Sequence, residues 1–198
     1  LIDGKFGKAS KKVVIEEFLE GIELSCFVLT DGKNFITLPM AKDYKRIGEG
    51  DTGLNTGGMG AVSPVPFVDS KFENKILDKI IKPTIEGMKL DNITYKGFIF
   101  IGLIKVGDEP KVIEYNVRMG DPECQTILPM LNTDLLEIIE STIDENLENI
   151  EIQWLGKKSL CVVLCSNGYP DHYKKNIEIK NFNKINLDKN NYLFHAGT

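Results

Sequence analysis

Three polar residues at alternate positions, Glu114, Asn116 and Arg118, make the most chemically suggestive pattern in this 198-residue chain. On an extended strand, side chains at i, i+2 and i+4 share a face. The run therefore collects a carboxylate, an amide and a guanidinium on one side, with Ile113, Tyr115 and Val117 on the other. Carboxylate and amide oxygens suit a hard divalent cation, and a guanidinium holds phosphate oxygens through paired hydrogen bonds. Such a set fits a nucleoside triphosphate. An ordinary half-buried strand with a solvated face shows the same alternation.

Two further stretches point the same way. The segment Asp51-Thr-Gly-Leu-Asn-Thr-Gly-Gly-Met-Gly60 carries four glycines, which lets backbone amides approach a ligand oxygen and point inward as an anion nest. Lys45 and Arg46 add positive charge just upstream. The spacing is neither GxxxxGK[ST] nor a GxGxxG after a strand, so the P-loop and Rossmann fingerprints do not apply. A flexible surface loop is the alternative. Glu16-Glu-Phe-Leu-Glu-Gly-Ile-Glu23 offers backbone groups and several carboxylates able to accept from ribose hydroxyls, or forms a plain acidic turn.

The elements that must position these groups read as follows. Val13-Val14-Ile15 ends in two acids, which predicts a buried strand over residues 12–17. Residues 24–30 and 34–40 flank Asp31-Gly-Lys33, a hairpin signal. Residues 42–66 show little periodicity and are too long for an ordinary connection, so a functional loop is expected there. Phe72, Ile76, Ile80, Ile81, Ile85 and Met88 recur at helical steps, with Pro83 as a kink. Residues 94–106 and 111–117 form a second hairpin about Gly107-Asp-Glu-Pro110. Helix is expected from Asp121, with Pro122 in its first turn, and Leu135, Ile138, Ile139 and Ile143 form a later stripe. Near residue 157 the pattern changes to Ser159-Leu-Cys-Val-Val-Leu-Cys165, which suggests a small β-rich subdomain over 157–198. Hairpins with a few helices make the class α+β.

Composition narrows the function. A net charge of −5 gives no general attraction to phosphate backbones, so nucleic-acid binding is not expected. No apolar run approaches the roughly 18–20 residues that span a bilayer, so no membrane segment is expected either. Cys26, Cys124, Cys161 and Cys165 form no CxxC pair, and with two histidines structural zinc is not expected. On one strand Cys161 and Cys165 would lie about 13 Å apart, too far for a disulfide. With no secretory signal at Leu1, reduced thiols and a cytoplasmic setting are the simplest account. His172 and His195 have no evident ligand partners and read as structural or solvent-facing.

In this order, the stretches resemble the phosphoribosylamine–glycine ligase family of ATP-grasp enzymes. The resemblance rests on Val14-Ile-Glu-Glu-Phe-Leu-Glu-Gly21, Lys45-Arg-Ile-Gly-Glu-Gly-Asp-Thr-Gly53, Asn55-Thr-Gly-Gly-Met-Gly-Ala61, Tyr95-Lys-Gly-Phe98 and Val112-Ile-Glu-Tyr-Asn-Val-Arg-Met-Gly-Asp-Pro-Glu123. Gly168-Tyr-Pro170 and Phe194-His-Ala-Gly-Thr198 also fit.

The resemblance implies an ATP-grasp fold with antiparallel sheets and flanking helices over residues 1–156. It makes Glu16, Glu17, Phe18 and Leu19 the hinge that meets adenine and Glu23 a ribose acceptor. Glu114 and Asn116 become ligands of Mg2+ or Mn2+, and Arg118 faces the phosphates of ATP. Lys45, Arg46, Asn55, Gly57 and Gly58 lie near the transferred phosphate and the acceptors, glycine and 5-phosphoribosylamine. Asp121 and Glu123 shape the glycine or amine side. Where many ATP-grasp members carry another acidic ligand on the preceding strand, this chain has Ile101-Gly102-Leu103. Cys124 reads as a lining residue rather than a nucleophile. The family's N-terminal segments have no counterpart, so the chain is expected to be a fragment that cannot complete the ligase cycle alone. Alternatives are another carboxylate–amine ligase of the same fold, or a nucleotide-binding module without catalysis.

Overall fold

The computed structural model describes residues 7–198. A strand apolar on both faces needs cover on both sides, and Ile22–Thr30 (β1) is buried at every residue from Leu24 to Thr30. It pairs antiparallel along its length with Gly97–Val106 (β7), from Ile22 opposite Lys105 to Thr30 opposite Gly97. Phe35–Thr37 (β2) flanks β1 on one edge and Glu109–Asn116 (β8) flanks β7 on the other, giving the order β2-β1-β7-β8. Both expected hairpins are therefore present. In the first, the Asp31 Oδ1 accepts from the amides of Lys33 and Asn34 at 2.8 and 2.6 Å, the local bonding that lets Asp head a turn.

One face of this sheet, with Leu24, Cys26, Val28, Ile99, Ile101 and Leu103, packs against Phe72, Ile76, Ile80, Ile81 and Ile85. Those residues come from the expected amphipathic helix, which is α-helical over Ser70–Ile76 (α1), π-helical over Leu77–Ile81, and α-helical again over Lys82–Leu90 (α2). Asp69 caps its start, its Oδ1 accepting from Phe72 N at 2.8 Å. The wide turn falls just before Pro83, whose missing N–H and ring bulk oppose a regular α-turn. The Thr84 hydroxyl donates to the Ile80 carbonyl at 2.7 Å there.

The opposite face brings Phe27, Leu29 and Phe100 against Ile127, Ile138 and Leu147. These belong to Glu123–Ile127 (α3), Leu135–Ile143 (α4) and the turn Leu147–Asn149. Pro122 caps α3 instead of lying inside it. Of the α4 stripe, Ile138 is buried while Ile139 and Ile143 are exposed.

The expected irregular loop over 42–66 is largely short strands. Lys42–Asp43 (β3) pairs with Gly60–Ser63 (β6), and Arg46–Gly48 (β4) with Thr52–Asn55 (β5). Strands of two to four residues cannot display a period, which is why their stretch reads as loop. Ser159–Val162 (β9) pairs antiparallel with β6, so the start of the 157–198 segment is hydrogen-bonded into the β3-β6-β9 sheet. Cys165 lies beyond that strand, and all four cysteines are free.

One expected strand does not form. Residues 12–17 have no strand and no burial: Ile15 is 92% exposed. A strand is stable only when it is paired and covered, and among the described residues nothing covers this run.

Candidate functional site

The second face of the central sheet continues past its apolar patch into a polar pocket. Glu23 and Ser25 on β1, Phe100 and Gly102 on β7, and Glu114 on β8 line it, and Asp43 and Lys45 close it from the β3 side. Its volume is about 120 Å³, below the roughly 300 Å³ at which small-molecule sites begin. It therefore has room for phosphate groups and a cation rather than a whole nucleotide.

Glu114 lies opposite Gly102 and Asn116 opposite Phe100, so the two share the pocket face as the alternation requires. The register slips between Gly102 and Leu103, which places the irregularity beside Glu114 without reversing its relation to Asn116. The Asn116 amide nitrogen is buried without a protein acceptor, an omission that costs roughly 1–3 kcal/mol unless a ligand supplies one. Half a turn of the amide exchanges its donor and acceptor ends. Among the described residues no three His, Cys, Asp or Glu side chains are grouped to hold a metal alone. A divalent cation would thus take oxygens from Glu114, Asn116 and its ligand, and this hard-oxygen set fits Mg2+ or Mn2+. No acid stands on β7 at Gly102, and the further carboxylates lining the pocket are Glu23, from β1, and Asp43, from β3.

Asp43 and Ser25 escape a reading of the sequence alone. Asp43 stands two residues before Lys45, a spacing with meaning only once that stretch is known to be extended. Ser25 is a lone hydroxyl in the apolar run from Leu24 to Thr30, and that isolation was its available signal.

Lys45 organises the charges. Its Nζ lies 2.8 Å from the Glu23 carboxylate and 3.8 Å from that of Asp43. Burial acts to lower the Lys45 pKa, but the bond to Glu23 and the charges of Asp43, Glu23 and Glu114 outweigh it, so the ammonium is held above its ordinary value. Burial pushes the Asp43 carboxyl up, against the pull of Lys45. Glu23, expected to accept from ribose, is paired with Lys45. Glu123, expected on the substrate side, is 3% exposed and accepts from Ser25 Oγ at 2.8 Å. Its carboxylate is turned into the protein.

Other predicted residues sit outside the pocket. β8 ends at Asn116, so Arg118 is not on the strand; its exposed guanidinium donates to the Met119 carbonyl at 2.9 Å. Arg46 donates to the Gly53 carbonyl at 2.8 Å across the β4–β5 hairpin, where Asn55 is its exposed partner. Asp121 is exposed and accepts from Gln125 Nε2 at 2.8 Å. Glu16, Glu17, Phe18 and Leu19 lie on the exposed segment before β1, with Glu17 3.8 Å from Lys111 Nζ of β8. Cys124 is half-buried and burial raises its thiol pKa, which disfavours a thiolate. Both His172 and His195 are exposed.

The glycine loop departs most from expectation. Thr56 N donates to the Lys45 carbonyl and Met59 N to the Tyr44 carbonyl, both at 2.7 Å, and Gly58 N donates to Thr56 Oγ1 at 3.0 Å. Gly58 has φ +132° and a Cβ there would lie 2.6 Å from Pro122, so a side chain at this position would collide with the segment before α3. Gly57 N has a long contact, 3.5 Å, to the Tyr169 hydroxyl. Most of the expected nest is turned inward.

A helix-sandwiched antiparallel sheet whose β8 carries a carboxylate and an amide on the face of a lysine-walled pocket is an ATP-grasp fold. The model of the phosphoribosylglycinamide synthetase ATP-grasp (A) domain matches residues 1–124, and the chain belongs to that family. It is 46% identical over 193 residues to phosphoribosylamine–glycine ligase of Caldanaerobacter subterraneus, covering 98% of this chain and 46% of that protein. It is 49% identical over 200 residues to a bifunctional purine biosynthetic protein of Pichia angusta, covering 100% of this chain and 25% of that one. The crystal structure of phosphoribosylamine–glycine ligase from Thermotoga maritima superposes with a TM-score of 0.67 at 35% identity, covering 80% of this chain and 40% of that chain. The chain spans less than half the length of these three proteins. Among the described residues no helix is long and apolar enough to cross a membrane.

Proposed function

We propose that this chain supplies the phosphate and metal side of a phosphoribosylamine–glycine ligase, and that the activity belongs to a longer polypeptide containing it. The observation that carries the reading is the pocket in which Glu114, with Asn116 beside it, faces Lys45.

In the reaction a glycine carboxylate oxygen attacks the γ-phosphorus of ATP, the bond from that phosphorus to the β–γ bridging oxygen breaks, and ADP leaves. The amine nitrogen of 5-phosphoribosylamine then attacks the carbonyl carbon of the glycyl phosphate. The carbon–oxygen bond to phosphate breaks, the nitrogen loses a proton, and an amide is formed. Such chemistry depends on positioning and charge neutralisation and requires no protein nucleophile.

The side chains divide that work. Glu114 and Asn116 would hold Mg2+ or Mn2+, which when bound neutralises phosphate oxygens. Lys45 is fixed by Glu23 and Asp43, so its ammonium is placed before any phosphate arrives. Arg118, bonded to a neighbouring carbonyl at the surface, can turn to the phosphates at little cost. The backbone of residues 16–19, on the largely exposed segment before β1, is the candidate adenine contact, and Asp121, Arg46 and Asn55 remain candidates for the acceptor side. Glu123, bonded to Ser25, supports the site from within. The four free thiols fit a reducing compartment, and we assign the protein to the cytoplasm.

The test is ADP release by the full-length polypeptide. It should require both glycine and 5-phosphoribosylamine, and Glu114→Gln should weaken Mn2+-dependent ATP binding. Release supported equally by other carboxylates would overturn the substrate assignment. Equal ATP binding by variant and parent would remove Glu114 from the metal site.

A further inference from the structure

The amides of loop 56–59 are unequal. Those of Thr56, Gly58 and Met59 donate at 2.7–3.0 Å to acceptors in the protein, within the ordinary range for such bonds. That of Gly57 has Tyr169 Oη at 3.5 Å, at the outer limit and exposed. Among the described residues, a Cβ built on Gly57 would meet only that hydroxyl, at 3.9 Å. Gly57 is thus the position where the loop keeps both an available donor and an open approach.

Tyr169 reaches this point from a segment fastened beside the loop. β9 pairs with β6, and Val163 N donates to the Met59 carbonyl at 2.9 Å. A tight turn follows, with Tyr169 N on the Ser166 carbonyl at 3.1 Å and Asp171 N on the Gly168 carbonyl at 3.0 Å. The Tyr169 ring meets Tyr173 edge-on, with centroids 5.7 Å apart. The Gly57 N–H points at the Tyr169 hydroxyl, and a phenol hydroxyl is both donor and acceptor, so an oxygen that takes the hydroxyl's place on that line can accept from the amide and from the O–H swung beside it. Two such donors suit an anionic oxygen, to which hydrogen bonds are shorter and stronger than to a neutral one. The loop itself is tied through Thr56 to the backbone of Lys45, which links it to the wall of the phosphate pocket.

We propose that the Tyr169 hydroxyl and the Gly57 amide together bind an anionic oxygen of an acceptor substrate, which makes Tyr169 a substrate-binding residue. The proposal rests on the ligase reading above, in which the oxygen belongs either to the glycine carboxylate or to the 5-phosphate of the amine.

Tyr169→Phe in the full-length polypeptide keeps the ring against Tyr173 and removes the hydroxyl. The KM for one acceptor should rise by about tenfold, the size of one lost hydrogen bond to a charged group, and the acceptor affected identifies the oxygen. The KM for ATP should stay within about twofold, because the ATP contacts are elsewhere. Unchanged KM values for both acceptors, or an equal rise for ATP, would overturn the assignment. A second readout is independent of turnover: the Gly57 amide resonance should move on titration with glycine or with inorganic phosphate in the parent, and not in Tyr169→Phe. A parent that lacks glycine-dependent ADP release but shows this shift loses the ligase reading and keeps the anion contact. A Gly57 resonance indifferent to both probes in the parent sinks the contact itself.

Discussion

The hydroxyl of Ser25 donates to the carboxylate of Glu123 across 2.8 Å, although 98 positions separate them in the chain. The bond joins β1, in the middle of the sheet, to the first turn of α3, and Ser25 lines the pocket together with Asp43 and Lys45. A Cβ on Gly120 would collide with the same carboxylate, so Gly120 leaves the space that Glu123 fills. Glu123, one of the two acids expected on the substrate side, thus also secures the frame.

Ser25→Ala should destabilise the protein. It leaves a buried carboxylate short of a donor, at a cost of about 1–3 kcal/mol. Each kcal/mol lowers the melting temperature of a chain this size by roughly 2–4 °C. Calorimetry of parent and variant checks the loss, and an unchanged melting temperature would mean that water replaces the hydroxyl without penalty.

Glu123 also predicts a direction with pH. Burial pushes its carboxyl above the ordinary glutamate value, and the Ser25 bond opposes this without cancelling it. The folded state therefore keeps this proton to higher pH than the unfolded chain. Its contribution is fully present below the unfolded value, about 4.3, and is lost as pH rises through the folded one. Glu123→Gln abolishes the titration while retaining an acceptor for Ser25. Relative to the parent, the variant should gain melting temperature between pH 4 and neutrality, and parallel curves would contradict the shift.

Asp31 behaves in the opposite sense. Burial acts to raise its pKa, but amide donors from Asn34, Lys33 and Leu147 prevail and the carboxyl is held below its ordinary value. Its contribution is present above the unfolded value, about 3.9, and disappears as pH falls through the folded one. Asp31→Asn removes the charge from these bonds and should cost about 2 kcal/mol at neutral pH. The deficit should shrink in acid; a deficit constant down to the folded value would show that charge is not involved.

What could be read from the sequence was local. The turn Asp31-Gly-Lys33 and the helix interrupted just before Pro83 carry their causes within a few residues, so the hairpins and the broken helix were visible. Glu114 and Asn116 were visible as a pair because strand alternation alone puts them on one face. Val13-Val14-Ile15 misled because β-branched residues favour a strand only where there is a partner to pair with. Asp43 and Ser25 were missed, and the burial of Glu123 was not foreseen, because burial is decided by distant segments. An acidic residue is taken as exposed by default, and only the fold reveals Ser25 beneath this one.

Lys45→Met separates two electrostatic roles of one side chain. The ammonium balances Glu23 and Asp43 directly and contributes to the field at Glu114. Without it, carboxylates converge on the pocket with no cation among them, an arrangement that attracts a divalent ion more strongly. Mn2+ binding in the absence of nucleotide should therefore tighten. Phosphoryl transfer should fall, because the fixed positive charge that would meet the phosphate oxygens is gone. Mn2+ affinity measured by calorimetry and single-turnover ADP formation by the full-length polypeptide should thus move in opposite directions. A joint fall would show that Lys45 shapes the pocket rather than setting its charge. Unchanged turnover would place the transferred phosphate away from Lys45 altogether.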